Sequence, residues 1–578
     1  MPQPLLVVIL LALGATAAAA APVATNLQAT CRDGQVFLTW DEPAGLQGDL
    51  TVLMSKQPIT AADQATVIAE GVNPGSAYDW WLNKETYGNP VPKDPNTGEA
   101  YKPPHEGFIV TPGGPRLNPD SGLHVHTVAA DEAGAAYYAV IGADNKEIVA
   151  GQNSLAQPVN QQAGAVTPIW QSADSAPEVE KAKGLPLHLI LHAKTGIGGM
   201  EYLAFGDKSL GWREGLPFKF GVRVTPDYVE VRPTDRTWIG RMFPEGTDGC
   251  QKLTPAIHSF WYGYNSNIHW PERMAQGVCT NYSERRVLWI VDWVQRTYQT
   301  DPNRTYATGS SMGGCGMMAV ALRHPEVFAA ISAHVPIVAY DKGPGGDSLR
   351  RITAECGDVD KPCNEGMSVR DRLDATRFVR EHKGDLPFLV IANGRTDTSI
   401  PWWKNPDFYR TMRDQRQAFV AAWNDGDHGG CGSKLPPDIR QLADLRNLHQ
   451  YALDRSYLAF SNSSQDQNPG NGDAKDGDIE GYMNRGLVYD PPADAADRYE
   501  VLIKWALEAD KLPVTVDVTP RRLQALKLKP GDQVTAMNLA ADGTEVQKLT
   551  LTADDQGLVT FPAFKVISAA GNRLVLTK

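Results

Sequence analysis

The sequence has no surplus of positive charge: 55 Lys and Arg against 67 Asp and Glu leave a formal net charge of −12. That balance excludes a chain built to hold a polyanion such as nucleic acid. After its first twenty residues it also lacks any apolar run near the roughly 20 residues of a membrane-spanning helix, so no membrane partner is expected for the mature chain. It contains no Cys-x-x-Cys. Its one His-x-x-x-His, His188 with His192, falls on an expected strand, where that spacing holds the imidazoles roughly 13 Å apart, too far for a shared zinc. No Gly-x-Gly-x-x-Gly opens a helix, so Gly196, Gly198 and Gly199 are not a dinucleotide fingerprint. Neither a metal nor an organic cofactor is expected.

What is present begins with a leader. Leu5 to Leu13 form an apolar run ahead of an alanine stretch, the pattern of a secretory signal over residues 1–20 with cleavage near Ala20. A secreted, periplasmic or extracellular product is expected. The seven cysteines suit an oxidising compartment. An odd count leaves at least one unpaired, most simply Cys31; Cys250 with Cys279 and Cys356 with Cys363 would close short loops, but spacing does not fix the connectivity.

A chain of 578 residues is too long for one ordinary core. Residues 21–158 alternate as strands: "GQVFLTWDEP" puts Val36, Leu38 and Trp40 on one face, and "GLHVHTVAA" and "AAYYAVIGA" follow. A β-sandwich is expected there, its ends similar to a fibronectin type III domain, with Trp40 inward and Tyr137 or Tyr138 on a late strand. From 165 to 461 the period changes. Apolar strands such as "PLHLILHAK", "FAAISAHVPIV" and "LPFLVIANG" are separated by helical stretches such as "SERRVLWIVDWVQRTYQ", which implies an α/β domain with a mostly parallel sheet. Residues 462–578 read as an Asp/Gly-rich loop and then a small all-β module. Asp466, Asn468, Asp473, Asp476 and Asp478 in that loop carry oxygen donors of the kind calcium takes, but they miss the EF-hand spacing, and a solvated loop is the default expectation.

The chemistry concentrates in "RTYATGSSMGGCG". Gly309, Ser311 and Gly313 occupy a Gly-x-Ser-x-Gly pattern between a short strand and a helix. A turn this tight strains its central residue and projects the Ser311 hydroxyl outward, while the N–H of Met312 and the helix N-terminus face any oxyanion formed there. A serine hydroxyl needs an imidazole to take its proton. His428, in the glycine-flanked "NDGDHGGCG" after an apolar strand, is best placed among the twelve histidines; His192, His324 and His334 read as core or surface histidines. Asp397, in the exit loop of "LPFLVIANGRTDTSIP", is the orienting carboxylate. The chain order Ser311, Asp397, His428 is that of one fold class. A second oxyanion N–H is expected after "LPLHLIL", at Ala193 or Lys194, with Lys194 preferred.

With "LILHAKTG" before the elbow and "NGRTDTSIP" and "NDGDHGG" after it, the stretch from Pro186 to Gly432 resembles the α/β-hydrolase superfamily. Within it the sequence is most similar to secreted feruloyl-esterase-like and polyhydroxyalkanoate-depolymerase-like esterases, with "LHAK" in place of the usual LHG. Prolyl-oligopeptidase-like hydrolases share the core and the residue order. The resemblance implies a Ser311–Asp397–His428 triad and ester cleavage on a polysaccharide or polyester. An extracellular serine peptidase is the second reading, and a surface-binding protein on a hydrolase scaffold the third. A Cys315–Cys431 bond would clamp the base loop to the elbow helix, as in related esterases; two buried thiols are the alternative. Trp261 and Tyr262, and Trp402 and Trp403 in "PWWK", could line an acyl or glycan site, or pack an insertion onto the core.

Overall fold

The longest apolar stretches carry no alternation, which is the mark of strands covered on both faces. The computed structural model describes residues 21–578 apart from 33–34, 73, 78–105, 112–113, 129–131, 163–168, 171–178, 192–200, 205–216, 234, 244–253, 266–270 and 344–345. The expected leader, His192, Ala193, Lys194 and Cys250 lie outside the described residues.

Among the described residues ten strands form the central sheet: β1 (Ile169–Trp170), β2 (Leu187–Leu191), β3 (Glu201–Ala204), β4 (Pro217–Val224), β5 (Val229–Pro233), β6 (Thr305–Ser310), β7 (Ala330–His334), β8 (Phe388–Gly394), β9 (Phe419–Asn424) and β10 (Gly481–Met483). Their order is β10-β9-β8-β7-β6-β2-β5-β4-β3-β1. The run from β5 through β2, β6, β7 and β8 to β9 is parallel, and both flanks turn antiparallel. Every residue of β8 and β9 is buried.

Helices among the described residues include α1 (Tyr282–Tyr298), α2 (Met312–Ala319), α3 (Asn405–Asp414), α4 (Gly430–Lys434) and α5 (Pro437–Leu442). In α1 the residues at helical spacing, Val287, Ile290, Val291, Trp293 and Val294, are all buried, the apolar stripe of a crossover helix lying on a sheet. The helix stops at Gln299, which takes the left-handed conformation at φ 50°.

The N-terminal region holds two antiparallel sheets, one of Thr25–Arg32, Gln35–Asp41 and Gly122–Thr127, the other of Thr66–Val72, Leu50–Ser55, Gly134–Gly142 and Val159–Gln161 in that spatial order. Val36, Leu38 and Trp40 share one core with Tyr138 and Val140. The neighbouring Phe37, with Leu123 and Val125, joins the core of the central sheet instead, because successive side chains of a strand leave on opposite faces.

At the C-terminal end the sheets do not divide where the sequence does. Tyr457–Ser461, assigned from sequence to the α/β domain, pairs with Val514–Arg521 of the last β region. β10, from beyond residue 462, pairs with β9 at the edge of the central sheet. The chain thus crosses out of the α/β layer, returns to close its edge, and crosses out again. Leu458 and Phe460 sit in the C-terminal core with Tyr499, Val516 and Phe564.

Neither short cysteine loop forms. Cys279 bonds Cys356, a pairing 77 residues apart that joins the segment before α1 to the segment between β7 and β8. Cys31 and Cys431 are thiols, and no bond joins Cys315 to Cys431.

Candidate active site

The turn from β6 into α2 has the geometry that its glycines imply. Ser311 sits at φ 57° and ψ −119°, a conformation that costs a non-glycine residue of order 1–3 kcal/mol and persists only where the surroundings enforce it. A Cβ at Gly309 would lie 2.2 Å from the carbonyl oxygen of Gly313, so any side chain at 309 would push the turn apart. The Ser311 N–H donates to His334 O at 2.9 Å, fastening the elbow to β7. Met312 opens α2, so its N–H is one of those that the helix leaves without an intrahelical acceptor.

The three expected side chains meet. His428 Nε2 is 2.8 Å from Ser311 Oγ, and His428 Nδ1 is 2.8 Å from Asp397 Oδ2. Asp397 is held from its other oxygen: Oδ1 accepts the N–H groups of Ser399 at 2.7 Å and Ile400 at 2.8 Å. Its side chain is 1% exposed while that of His428 is 36% exposed, so the carboxylate is locked and the imidazole faces the rim. An arrangement of this kind can move a proton from the hydroxyl to Nε2 while the carboxylate stabilises the imidazolium.

Two residues not singled out in the sequence shape the base loop. Asn424, the last residue of β9, donates from Nδ2 to Cys431 O at 3.0 Å and accepts the Gly426 N–H on Oδ1 at 2.9 Å. Asp427 Oδ1 accepts the N–H groups of Gly429 at 3.1 Å and Gly430 at 2.6 Å. Their signal is a local one: Asn and Asp two residues ahead of a glycine are turn formers through their own side chains. These bonds do within the loop what a Cys315–Cys431 bond would do across it. The Cys431 thiol is fully buried, and that burial, with Asp397 nearby, pushes its pKa up to about 12.

The aromatic candidates separate by burial. Trp261 is 0% exposed; its ring packs so close to Gly316 of α2 that a Cβ there would lie 2.6 Å from it, and its backbone N–H donates to Asp235 Oδ1 at 3.2 Å. Tyr262 is equally buried under the Arg372 guanidinium, 5.2 Å from the ring centre. Trp402 is buried in a cluster with Tyr409 of α3 and Trp423. These three are core residues behind the site, not its lining, since rings this large must be covered to stabilise an insertion or exit loop. Trp403 is only half buried; Lys404 Nζ lies 4.1 Å from its ring centre.

The Asp-rich loop encloses a side chain of the protein itself. Arg395, two residues before Asp397, donates its guanidinium N–H groups to the carbonyls of Asp473, Ala474, Asp476 and Asp478. The loop's carboxylates cap backbone amides, Asp478 accepting from Asn468 N at 2.7 Å and Asp476 from Asn471 N at 2.8 Å.

Residues 284–444 match the family model described as prolyl oligopeptidase family, the stretch that holds all three side chains. The probable acetylxylan esterase A of Aspergillus flavus is 25% identical over 150 residues, 23% of this chain and 46% of that protein. The acetylxylan esterase A of Emericella nidulans is 24% identical over 153 residues, 24% of this chain and 48% of its own length. The chain therefore spans about half the length of the curated relatives it matches. Among solved structures, an S-formylglutathione hydrolase from Agrobacterium tumefaciens is similar at 15% identity and a TM-score of 0.31, over 55% of this chain and 90% of that one. The stretch that carries Ser311, Asp397 and His428 is thus similar to the prolyl oligopeptidase family, and the chain to acetylxylan esterases. The family match is confined to the stretch around the elbow, the acid loop and the base loop; the flanking sheets lie beyond it.

Proposed function

We propose that this protein is a serine hydrolase that cleaves carboxylic esters on a polysaccharide through an acyl-enzyme on Ser311. The single observation that carries the reading is the imidazole of His428 held at 2.8 Å from both the Ser311 hydroxyl and the Asp397 carboxylate. Ser311 Oγ attacks the ester carbonyl carbon and its proton passes to His428 Nε2; the oxyanion is met by the Met312 N–H, with Lys194 as the second donor. The tetrahedral species collapses, the alcohol leaves with the proton from His428, and the acyl group stays on Ser311. Water then repeats the sequence in reverse, and the acid is released. No cofactor enters.

An ester substrate is favoured over a peptide because the curated relatives are named as acetylxylan esterases. The flanking β regions, the N-terminal one similar to a fibronectin type III domain, would hold a polymer beside the site, with the half-buried Trp403 as an aromatic surface for it. The leader-like residues 1–20 and the Cys279–Cys356 bond support export. Peptide cleavage is the second reading, favoured by the prolyl oligopeptidase family match.

The test is fluorophosphonate labelling of the wild type and Ser311→Ala, followed by turnover of p-nitrophenyl acetate, acetylated xylan and peptide anilides. Labelling and esterase activity are expected in the wild type, and a loss of at least about 10⁴-fold in kcat in the variant. Peptide turnover without ester preference would replace this reading with the second, and labelling that survives Ser311→Ala would remove the nucleophile altogether.

A further inference from the structure

The elbow holds two serines, and the one that the triad leaves over has a partner. Ser310 Oγ lies 3.0 Å from His334 Nδ1. His334 ends β7 directly across from Ser310 in the parallel register of β6 and β7, and it is the residue whose backbone oxygen receives the Ser311 N–H. On its far side the ring meets α4, just after the base. A Cβ at Gly432 would stand 3.0 Å from His334 Nε2 and 3.3 Å from Cε1, so a side chain there would press on the ring. One imidazole therefore fills the space between the nucleophile elbow and the loop that carries His428, the two parts that a Cys315–Cys431 bond would have joined.

We propose that His334 is a positioning residue for the proton transfer: bonded to Ser310 and packed on Gly432, it sets the distance between Ser311 and His428. This rests on the triad reading above. The side chain of His428 is 36% exposed, so burial alone does not fix its ring, and the Asn424 and Asp427 bonds shape the loop within itself rather than against the elbow. A neutral ring suits the task. Burial and the adjacent His428 both lower the His334 pKa, against the pull of Asp397, so the wedge adds no positive charge beside the imidazolium that forms during the reaction.

His334→Phe keeps a ring against Gly432 and loses the bond to Ser310; Ser310→Ala removes the same bond from an exposed position with little risk to folding. Each is compared with wild type for the rate of fluorophosphonate labelling of Ser311 and for p-nitrophenyl acetate kinetics per labelled site. One lost hydrogen bond predicts a fall of about 3- to 10-fold in the labelling rate and kcat, with KM within about twofold, and the double variant no slower than His334→Phe. Wild-type rates in either single variant, or losses that multiply in the double variant, overturn the proposal. A merely structural role would lower Tm and leave the rate per labelled site unchanged, which overturns it too. Failure of Ser311→Ala to abolish labelling would instead strike the triad itself, so the two failures are distinguishable.

Discussion

Asp397 shows how one side chain can be fixed by its unused half. Its Oδ1 is taken by the Ser399 and Ile400 amides, which leaves Oδ2 as the only oxygen that can face His428. An Asn at 397 that keeps its oxygen on those two amides must present its NH₂ to Nδ1. The ring would then have to accept at Nδ1 and carry its proton on Nε2, where it can no longer take one from Ser311. Asp397→Asn is therefore expected to fold with a near-native Tm and lose about 10⁴-fold in kcat on p-nitrophenyl acetate. A drop of less than about tenfold would mean that the carboxylate does not set the tautomer.

Elements are positioned by what anchors their ends, and for α1 the anchor is ionic. Glu284 in its first turn is buried and accepts both a two-oxygen contact from Arg372 at 2.7 Å and a bond from His324 Nε2 at 2.9 Å. Burial opposes the charge, yet the bond from His324 and the Arg372 guanidinium hold the carboxyl below its ordinary range. A carboxylate whose pKa is depressed on folding stabilises the native state fully above its unfolded value of 4.5 and loses that contribution as pH falls through its folded value. Glu284→Gln leaves the buried Arg372 with Glu365 as its remaining carboxylate, 2.6 Å from Nε. It is expected to cost about 1–3 kcal/mol near pH 7, read by denaturant unfolding, with a shallower loss of stability than in the wild type as pH falls below the unfolded value of 4.5; an unchanged midpoint would show that the pair is dispensable. Sequence alone reads His324 as no more than a core or surface histidine. The reason lies in its partners: Glu284 is 40 residues from His324, and Arg372 is 88 residues from Glu284, and nothing in local periodicity links them. The parallel strands, the elbow, the acid loop and the base loop are legible because each is written in consecutive residues: unbroken apolar runs, flanking glycines, a strand exit. Trp261, Tyr262 and Trp402 escape such reading for the converse reason. Aromatic clustering in sequence is the same whether the rings face a substrate or each other, and only the packing against Gly316, Arg372 and Trp423 decides between them.

At the scale of the whole chain, a boundary after residue 461 looks natural in sequence because composition changes there, from apolar strand to an Asp, Asn and Gly-rich loop. The loop is not a linker. Its carbonyls hold Arg395 beside the acid loop, Trp423 Nε1 donates to Asp478 O at 2.9 Å, and β10 closes the antiparallel edge of the central sheet against β9, the strand that leads to His428. Tyr457–Ser461, on the other side of the boundary, finds its hydrogen bonds with Val514–Arg521, and Arg521 in turn reaches back to Asp385, its Nε 2.7 Å from the carboxylate. A chain ending at 461 would leave Leu458 and Phe460 without their core, β9 with a bare edge, and the Arg395 guanidinium without the carbonyls that surround it. Each is a large penalty: exposed strand edges invite association, and a buried cation stripped of its acceptors costs several kcal/mol. A truncated protein of residues 21–461 is therefore expected to be insoluble or to bind a hydrophobic dye without a cooperative thermal transition, and to show no fluorophosphonate labelling. The protein of residues 21–578 should melt cooperatively and label. Cooperative melting and labelling by the shorter chain would show that the C-terminal strands are an appendage, and that the edge of the sheet beside the base loop needs no closing.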